Sequence, residues 1–550
     1  MDRCIKHVVV LMLENRSFDH MLGFLEYPGF PTLEPPADYS NPSNPTDPHS
    51  RRIPVTKDAD YTMRLDPPHS HQSVMEQLHV TLRGGPQMDG FVAAYSRKAA
   101  GLEARPRVHW WRLLGLGLIL SALLGVGVGV VISPLAGVIV FLIAAAAVGG
   151  GLASAKRRVD NPPTYEAGPE VMQCMDPDKI PVLATLAKEF AVCTRWHCSV
   201  PGETWPNRCF AHAATSEESV DIEVGFYSAP TIFDLLERNR VGWRIYCDGR
   251  AQLWAFRNLW LDDDRRARWR STRQLVDDIE KNDLATYSFI EPDHHGEDSG
   301  SQHPNNNRPS SKGVDFVRGE QLISQIYSAL KKKRDVFSKT MFVITYDEHG
   351  GLYDHVPPPT RMPAPKPLKR LRLTRRIIAF FIERTTARFA FRMLGPRVPT
   401  VVVSPLIPRA TVDDRVYDHS SIVATVRRLF APDAPPLTAR DEHANTFEHL
   451  ASLSAPRGPE DLPDPTPPPL DRERAVVEEL PPEAEDEYSR QLEVIGNKVR
   501  DALAAEGIED EGPAVRGATE SPSVGDPAVR LFNRAAHQAR TRISRRSNGP

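Results

Sequence analysis

The stretch HVVVLMLENRSFDH, residues 7–20, decides the fold of this 550-residue chain. Its run of consecutive apolar residues is typical of a strand that is buried on both faces of a sheet. The run ends at once in Glu14 and Asn15. A second stretch, MFVITYDEHGG at residues 341–351, has the same design, an apolar strand that ends in two acids. Because sites in open α/β sheets form at the carboxyl ends of strands, we expect these two ends to lie side by side.

Such an edge would bring together oxygen atoms that suit a metal ion. Glu14, Asn15, Asp347 and Glu348 offer carboxylate and amide oxygens, which are hard ligands for a divalent cation. We therefore predict one divalent metal ion there, and leave its identity open among Ca²⁺, Mg²⁺, Mn²⁺ and Zn²⁺. Acids at strand ends are also common helix caps, so a structural role remains the alternative.

Helix-like and strand-like segments alternate along most of the chain. Helical patterns cover residues 179–190 and 319–328, and short apolar runs cover residues 341–346 and 398–403. This alternation favours an α/β fold, a doubly wound and mainly parallel sheet.

An uncharged apolar run from Leu113 to Ala153, broken at Ser133-Pro134, interrupts this pattern. Each half is long enough to cross a hydrocarbon core of about 30 Å. We expect an inserted hydrophobic helical hairpin, either transmembrane or re-entrant, with a pair of buried core helices as the alternative. Basic residues flank both ends of the run. That pattern, together with an N-terminus that reads as a strand and not as a secretory signal, predicts a membrane-associated protein with a cytoplasmic catalytic domain.

The domain organisation follows from these changes in composition. Lys366 to Arg397 is basic with interleaved apolar residues, which is typical of an amphipathic helix at an anionic membrane or of a solvated helix on the domain. The sequence beyond residue 453 is rich in proline and acidic residues, which predicts disorder with one helix over residues 486–506. The predicted parts are a first segment of the α/β domain at 1–112, the hairpin at 113–153, a second segment of that domain at 154–453 that contains the basic insertion 366–397, and the tail at 454–550.

Charge and cysteine content exclude some classes of function. The net charge of −3 and the lack of basic-aromatic alternation argue against a nucleic-acid partner. The six cysteines form no CxxC pair, so we expect free thiols packed as small apolar groups in a reducing compartment.

Several motifs occur in a fixed order along the chain: ENRSFDH (14–20), His69, MDGFV (88–92), SVPGETWPNR (199–208), FIEP (289–292), His303-Pro304, YDEHGG (346–351) with DHV (354–356), VPT (398–400) and YDHSS (417–421). Together they resemble the bacterial phosphoesterase family, which contains non-haemolytic and haemolytic phospholipases C and an acid phosphatase branch. The resemblance covers roughly residues 3 to 430, outside the apolar run and the basic insertion. The family belongs to the alkaline-phosphatase-like superfamily, which implies the doubly wound sheet.

This resemblance implies a role for each matching residue. Thr204 would be the nucleophile. A hydroxyl needs a metal or a base beside it to react at neutral pH. His69, His303 and His349 would contact phosphate or donate a proton, and Arg208 and His355 would bind phosphate. Capping of the next segment by Thr204, pairing of Arg208 within the fold, and structural roles for the histidines remain the alternatives. The metal would be held by Glu14, Asn15, Thr204, Asp347 and Glu348.

The implied function is that of a membrane-associated phospholipase C-type phosphodiesterase, acting on a phospholipid or another phosphoester. Thr204 would displace the leaving group in line and form a phospho-threonine that water hydrolyses. An acid-phosphatase-type phosphomonoesterase is the alternative, and a non-catalytic membrane scaffold is a third. The products separate the first two: diacylglycerol and a phosphorylated headgroup, or inorganic phosphate.

Overall fold

The structure is a computed structural model of the full chain. It describes residues 5–63, 65–81, 85–100, 107–108, 110–131, 135, 138–149, 169–249, 251–294, 299–304, 315–365, 382–383, 389–470 and 487–505.

The strands of the described residues are β1 (His7–Leu13), β2 (Ser40–Pro42), β3 (Arg52–Pro54), β4 (Arg107–Val108), β5 (Ala191–Cys193), β6 (Trp196–His197), β7 (Trp243–Cys247), β8 (Trp269–Arg270), β9 (Tyr287–Glu291), β10 (Thr340–Tyr346), β11 (Ile382–Glu383), β12 (Thr400–Val403), β13 (Thr411–Asp413) and β14 (Tyr417–Asp418).

An eight-stranded, mainly parallel sheet forms the centre of the protein, with the strand order β13-β5-β12-β10-β1-β9-β7-β8. Strand β12 is antiparallel to both of its neighbours, whereas the other pairs in this sheet are parallel. The predicted α/β class with a mainly parallel sheet is confirmed.

Helices follow most of these strands, as the alternating pattern predicted. The patterns at 179–190 and 319–328 correspond to helices Pro181–Glu189 and Asp315–Lys332. The remaining α-helices with defined bounds are Phe18–Leu22, His71–Leu78, Phe91–Ala99, Trp110–Val131, Thr204–Ala213, Ile232–Arg238, Asp263–Arg266, Thr272–Glu280, Arg334–Phe337, Ser420–Phe430, Ala439–His443 and Glu487–Ala505.

The register of the two central strands brings the predicted strand ends together. Strand β1 pairs in parallel with β10, with Leu13 opposite Tyr346. The backbone N–H of Asp347 donates to the carbonyl of Leu13 at 3.2 Å. All of β10, and all of β1 beyond its first residue, is buried. Glu14 and Asp347 therefore leave adjacent strands at the same edge.

The expected hydrophobic hairpin is not supported. The apolar run begins in the helix Trp110–Val131. Residues 138–149 are also helical, while 132–134 and 150–168 lie outside the described residues. Among the residues described, the structure contains no helix that combines the length and apolar character needed to span a bilayer.

The basic insertion is described at few positions. Ile382–Glu383 forms strand β11, which pairs antiparallel with Arg107–Val108. At these two positions the predicted helix is wrong, because backbone pairing with a partner distant in sequence decides the local conformation. The prediction is also wrong at residues 389–397, which contain no helix. Residues 366–381 and 384–388 of the predicted helix lie outside the described residues.

The tail contains the predicted helix, and this helix packs on the domain. Helix Glu487–Ala505 agrees with the prediction at 486–506 to within a residue at each end. Ile495, Val499 and Leu503 are buried in the main hydrophobic core. Their spacing of four residues places them on one face of the helix.

A buried carboxyl group joins two helices of the core. Glu320, on helix Asp315–Lys332, accepts hydrogen bonds from the backbone N–H groups of Val182 (2.7 Å) and Leu183 (3.3 Å) at the start of another helix. Burial raises the pKa of Glu320 to about 8, against the lowering effect of those two donors.

Glu320→Gln is expected to flatten the pH dependence of stability. The folded-state pKa of Glu320 lies above its unfolded value, so its contribution is fully present below pH 4.5 and is lost as the pH rises through about 8. The free energy of unfolding of the wild type should fall relative to the variant by about 4 kcal/mol between pH 5 and 9. Urea unfolding at several pH values measures this, and parallel curves would contradict it.

Candidate active site

Three buried carboxylates surround one arginine at the carboxyl ends of β1, β9 and β10. Arg208 Nε donates to Asp347 Oδ2 at 3.0 Å. Its terminal nitrogens form ion pairs with Glu291 Oε1 at 3.5 Å and with Glu14 Oε1 at 3.8 Å. One terminal nitrogen also donates to the carbonyls of Met12 and Leu13. Every one of these side chains that bears a charge is at most 1% exposed.

Arg208 reaches this position from the helix Thr204–Ala213. Thr204 is the first residue of that helix, and Arg208 follows one turn later. Residues four apart share a helix face, so the nucleophile candidate and the arginine face the same strand ends. The contacts of Arg208 with strand residues correspond to pairing within the fold, the alternative to the predicted phosphate clamp.

Asn15, the second residue after strand β1, has an uncommon backbone conformation. Its φ of 54° lies in the left-handed region, which Asn tolerates better than most residues. Its backbone N–H donates to Asp347 Oδ1 at 3.0 Å. A side chain on Gly350 would meet the carbonyl oxygen of Asn15 at 2.1 Å, so only glycine fits there. This turn connects the two acidic strand ends.

The side chain of Asn15 links the threonine to two histidines. Thr204 Oγ donates to Asn15 Oδ1 at 3.4 Å. Asn15 Nδ2 lies 3.0 Å from His303 Nε2 and 3.5 Å from His69 Nε2. Because an amide nitrogen only donates, these contacts turn the amide oxygen toward Thr204. The structure therefore brings together four residues that the motifs singled out.

His69 lies near an acid that pairs with a lysine. Its Nδ1 donates to the carbonyl of Pro67 at 2.7 Å and lies 3.9 Å from Asp66 Oδ2, which pairs with Lys98 at 3.2 Å. Burial alone would lower the pKa of His69, but the carboxylates of Asp66 and Glu348 outweigh it and raise this pKa.

Glu348 and His349, which follow Asp347, are both fully buried. Glu348 Oε2 accepts from the backbone of Gly350 at 2.8 Å, whereas its buried Oε1 accepts no hydrogen bond among the described residues. Burial raises the pKa of Glu348 to about 8, although nearby His69 lowers it. His349 Nε2 lies 2.8 Å from Gln77 Oε1, and burial lowers the pKa of His349 to about 3. A neutral ring held this way favours an orienting role over proton donation.

His355 lies in a separate ionic cluster. Its Nδ1 contacts Asp19 Oδ2 at 2.7 Å. Arg397 pairs with both Asp19 and Asp354. His355 thus contacts Asp19 and Arg397 in this cluster, whereas the group around Thr204 is built from other residues. A cation among these acids would have to displace the guanidinium, so the cluster serves the fold.

The predicted ligands fit a metal with oxygen ligands. Glu14 Oε1 and Glu348 Oε1 are buried and accept no hydrogen bond from described residues, which is costly for a carboxylate unless a cation is nearby. Asn15 Oδ1 accepts from the Thr204 hydroxyl at 3.4 Å. Among the described residues, the groups of acids and histidines with ligand atoms within 4.8 Å of one another are Asp66, His69 and His303, and Asp19, Asp354 and His355; Glu14, Asp347 and Glu348 do not form such a group.

The electrostatics reflect the crowding of negative charge. Burial would raise the pKa of Glu14, but His294 and Arg208 outweigh it and hold this pKa well below its usual range. Burial raises the pKa of Asp347, and the charge of Glu14 adds to this, while Arg208 opposes it. The carboxylates therefore compete for one guanidinium.

The sequence model of the phosphoesterase family matches residues 5–114 and 145–431. The chain belongs to the phosphoesterase family. It is therefore a phosphoric ester hydrolase. The unmatched residues, 115–144, fall within the apolar run, which is thus an addition to the family pattern.

Curated relatives carry the name phospholipase C. Non-specific phospholipase C6 of Arabidopsis thaliana is 31% identical over 82% of this chain and 73% of its own length. Non-specific phospholipase C1 of the same plant is 29% identical over 84% of this chain and 74% of its own length. Non-hemolytic phospholipase C of Burkholderia pseudomallei is 28% identical over 48% of this chain and 42% of its own length. An alkaline phosphatase superfamily protein of Vibrio parahaemolyticus, 11% identical, covers 48% of this chain and 64% of its own with a TM-score of 0.28.

Two contributors to the site had no role assigned from the sequence. Glu291 ends strand β9 as Glu14 and Asp347 end theirs, so the rule that sites form at strand ends would have found it. Asp66 precedes His69 by three residues in a loop, and no pattern in the sequence indicated their contact.

Arg208→Gln is expected to destabilise the protein by about 3–5 kcal/mol, because it removes a buried guanidinium from three carboxylates, of which Glu14 and Glu291 then keep His294 as a partner. Chemical unfolding of the purified variant measures the loss. The control is Arg195→Gln, since Arg195 is exposed. Equal stability of the two variants would show that the buried ion pairs are not needed for folding.

Proposed function

We propose that the chain is a phospholipase C-type phosphodiesterase in which Thr204 is the nucleophile. The observation that carries the proposal is the convergence of Thr204, Asn15, His69 and His303 at the acidic strand ends. A hydroxyl at the first position of a helix also lies where backbone N–H groups point outward and favour a bound phosphate.

The residues of this chain supply positioning and proton transfer. The Thr204 hydroxyl gives its proton to solvent, Thr204 Oγ attacks phosphorus in line with the leaving oxygen, and the bond between phosphorus and that oxygen breaks. His69, whose pKa is raised, donates from its imidazolium form the proton that the leaving oxygen takes up, and in that form its Nε2 no longer accepts from Asn15. Water then hydrolyses the phospho-threonine and restores the hydroxyl.

A cation completes this arrangement. Glu14, Asn15, Asp347, Glu348 and Thr204 would hold it. When bound, a divalent metal polarises a phosphoryl oxygen and lowers the pKa of a neighbouring hydroxyl.

The substrate class follows from the relatives and from the surface. The relatives named phospholipase C match over most of this chain, which supports a phospholipid diester as substrate. Large apolar side chains on helix Trp110–Val131 are solvent-exposed, among them Leu123 (63%) and Val126 (64%). Contiguous exposed apolar surface marks a site of contact with lipid or protein. We infer that this surface rests on the membrane that contains the substrate.

Thr204→Ala is expected to reduce hydrolysis of a short-chain phosphatidylcholine by about 10³-fold or more, because no other hydroxyl replaces the nucleophile. Thr204→Ser keeps a hydroxyl at the same position and should retain much of the activity. Product analysis should find diacylglycerol and phosphocholine. Full activity of the alanine variant would remove Thr204 from its role, and release of inorganic phosphate as the first product would favour a phosphomonoesterase.

Replacing Leu123 and Val126 together by Asp is expected to weaken binding to anionic phospholipid vesicles by about tenfold or more, since charged groups resist insertion at the interface. Vesicle co-sedimentation measures the change. Val494→Asp alters an exposed apolar residue on the tail helix and serves as the control. Equal sedimentation of all variants would exclude this surface as the membrane contact.

A further inference from the structure

A buried histidine connects two of the acidic strand ends. His294 follows strand β9 by three residues and is fully buried. Its Nε2 donates to Glu291 Oε1 at 3.1 Å. Its Nδ1 lies 2.9 Å from Glu14 Oε2. The ring thus spans the gap between a strand-end carboxylate with no assigned role and a proposed metal ligand.

Glu291, at the other end of this row of contacts from Glu14, is anchored to the backbone. Glu291 Oε1 also accepts the backbone N–H of Gln252 at 2.6 Å. Gln252 begins a short 3₁₀ turn, Gln252–Ala255, whose side chains are buried. Glu291 is therefore fixed by main chain as well as by its strand, and it holds the ring of His294 in one orientation.

One oxygen of Glu14 has the more distant partner. His294 Nδ1 lies 2.9 Å from Oε2, whereas Arg208 lies 3.8 Å from Oε1, and neither oxygen accepts a hydrogen bond of standard geometry among the described residues. A carboxylate held through one oxygen presents the other in a fixed direction. Partners of this kind commonly orient metal ligands and set the affinity of a metal site.

We propose that His294, backed by Glu291, is a positioning residue that holds Glu14 Oε2 so that Oε1 points to the metal. The inference rests on the proposed role of Glu14 as a ligand. It gives the Glu291-His294 pair a role in metal affinity, whereas Arg208 forms ion pairs with the strand-end carboxylates.

Two variants separate positioning from packing. His294→Asn places an amide nitrogen near the position of Nδ1 and keeps a donor for Glu14, although it is smaller than histidine. His294→Leu fills more of the space but offers no donor. If the ring positions Glu14, Asn should preserve metal binding better than Leu, and if the ring only fills space, the order should be reversed.

The experiment is titration of the metal-free full-length protein with Mn²⁺, followed by calorimetry and by the electron paramagnetic resonance spectrum of the bound ion. His294→Leu should weaken Mn²⁺ binding by about 10–100-fold and alter the spectrum, and His294→Asn should bind within a few-fold of the wild type. His197→Asn is the matched control, because His197 is also buried but bonds the carbonyl of Gly395.

If His294→Leu does not fold, Glu291→Gln tests the same chain, since it keeps the shape but weakens the hold on the ring, and should reduce Mn²⁺ affinity several-fold. Wild-type affinity and spectrum in the variants would overturn the inference and leave the proposed function intact. Absence of stoichiometric Mn²⁺ binding by the wild type would overturn the metal site itself.

Discussion

The guanidinium of Arg208, enclosed by Glu14, Glu291 and Asp347, is the contact on which the rest of the site depends. Parallel strands end at one edge of the sheet, so acids that follow β1, β9 and β10 are forced into proximity. In a buried environment such acids repel one another and lose hydration. Arg208, from the helix Thr204–Ala213, offsets this together with His294 and at the same time fixes that helix against the strand ends.

This arrangement links stability to chemistry. Thr204 and Arg208 lie one turn apart, so the contact that neutralises the acids also sets the direction of the hydroxyl. Asn15 completes the link, because its backbone binds Asp347 and its amide contacts both the hydroxyl and the histidines. A substitution at the arginine would therefore disturb folding and the geometry of the nucleophile together.

Two regions outside the family core contact the domain in different ways. The helix Trp110–Val131 exposes large apolar residues, whereas the tail helix Glu487–Ala505 buries its apolar face in the core. The tail helix packs on the turn Gln252–Ala255, where the ring of Trp254 approaches Gly496. That turn also supplies the backbone N–H that anchors Glu291. A segment that composition alone assigned to a disordered tail thus supports the far end of the site.

The sequence by itself determined the α/β class, the two acidic strand ends and the candidate nucleophile, because local apolar runs and short motifs carry that information. The apolar run at 113–153 predicted a hairpin able to enter a membrane, which the structure does not support, since no helix among the described residues has the length and apolar character to span a bilayer. Only the tertiary structure decided that Arg208 pairs with strand ends, that His355 belongs to the cluster around Arg397, and that His294 joins Glu291 to Glu14. These contacts are made between residues far apart in the chain, and the register of β1 and β10, which no local pattern encodes, brings their elements together.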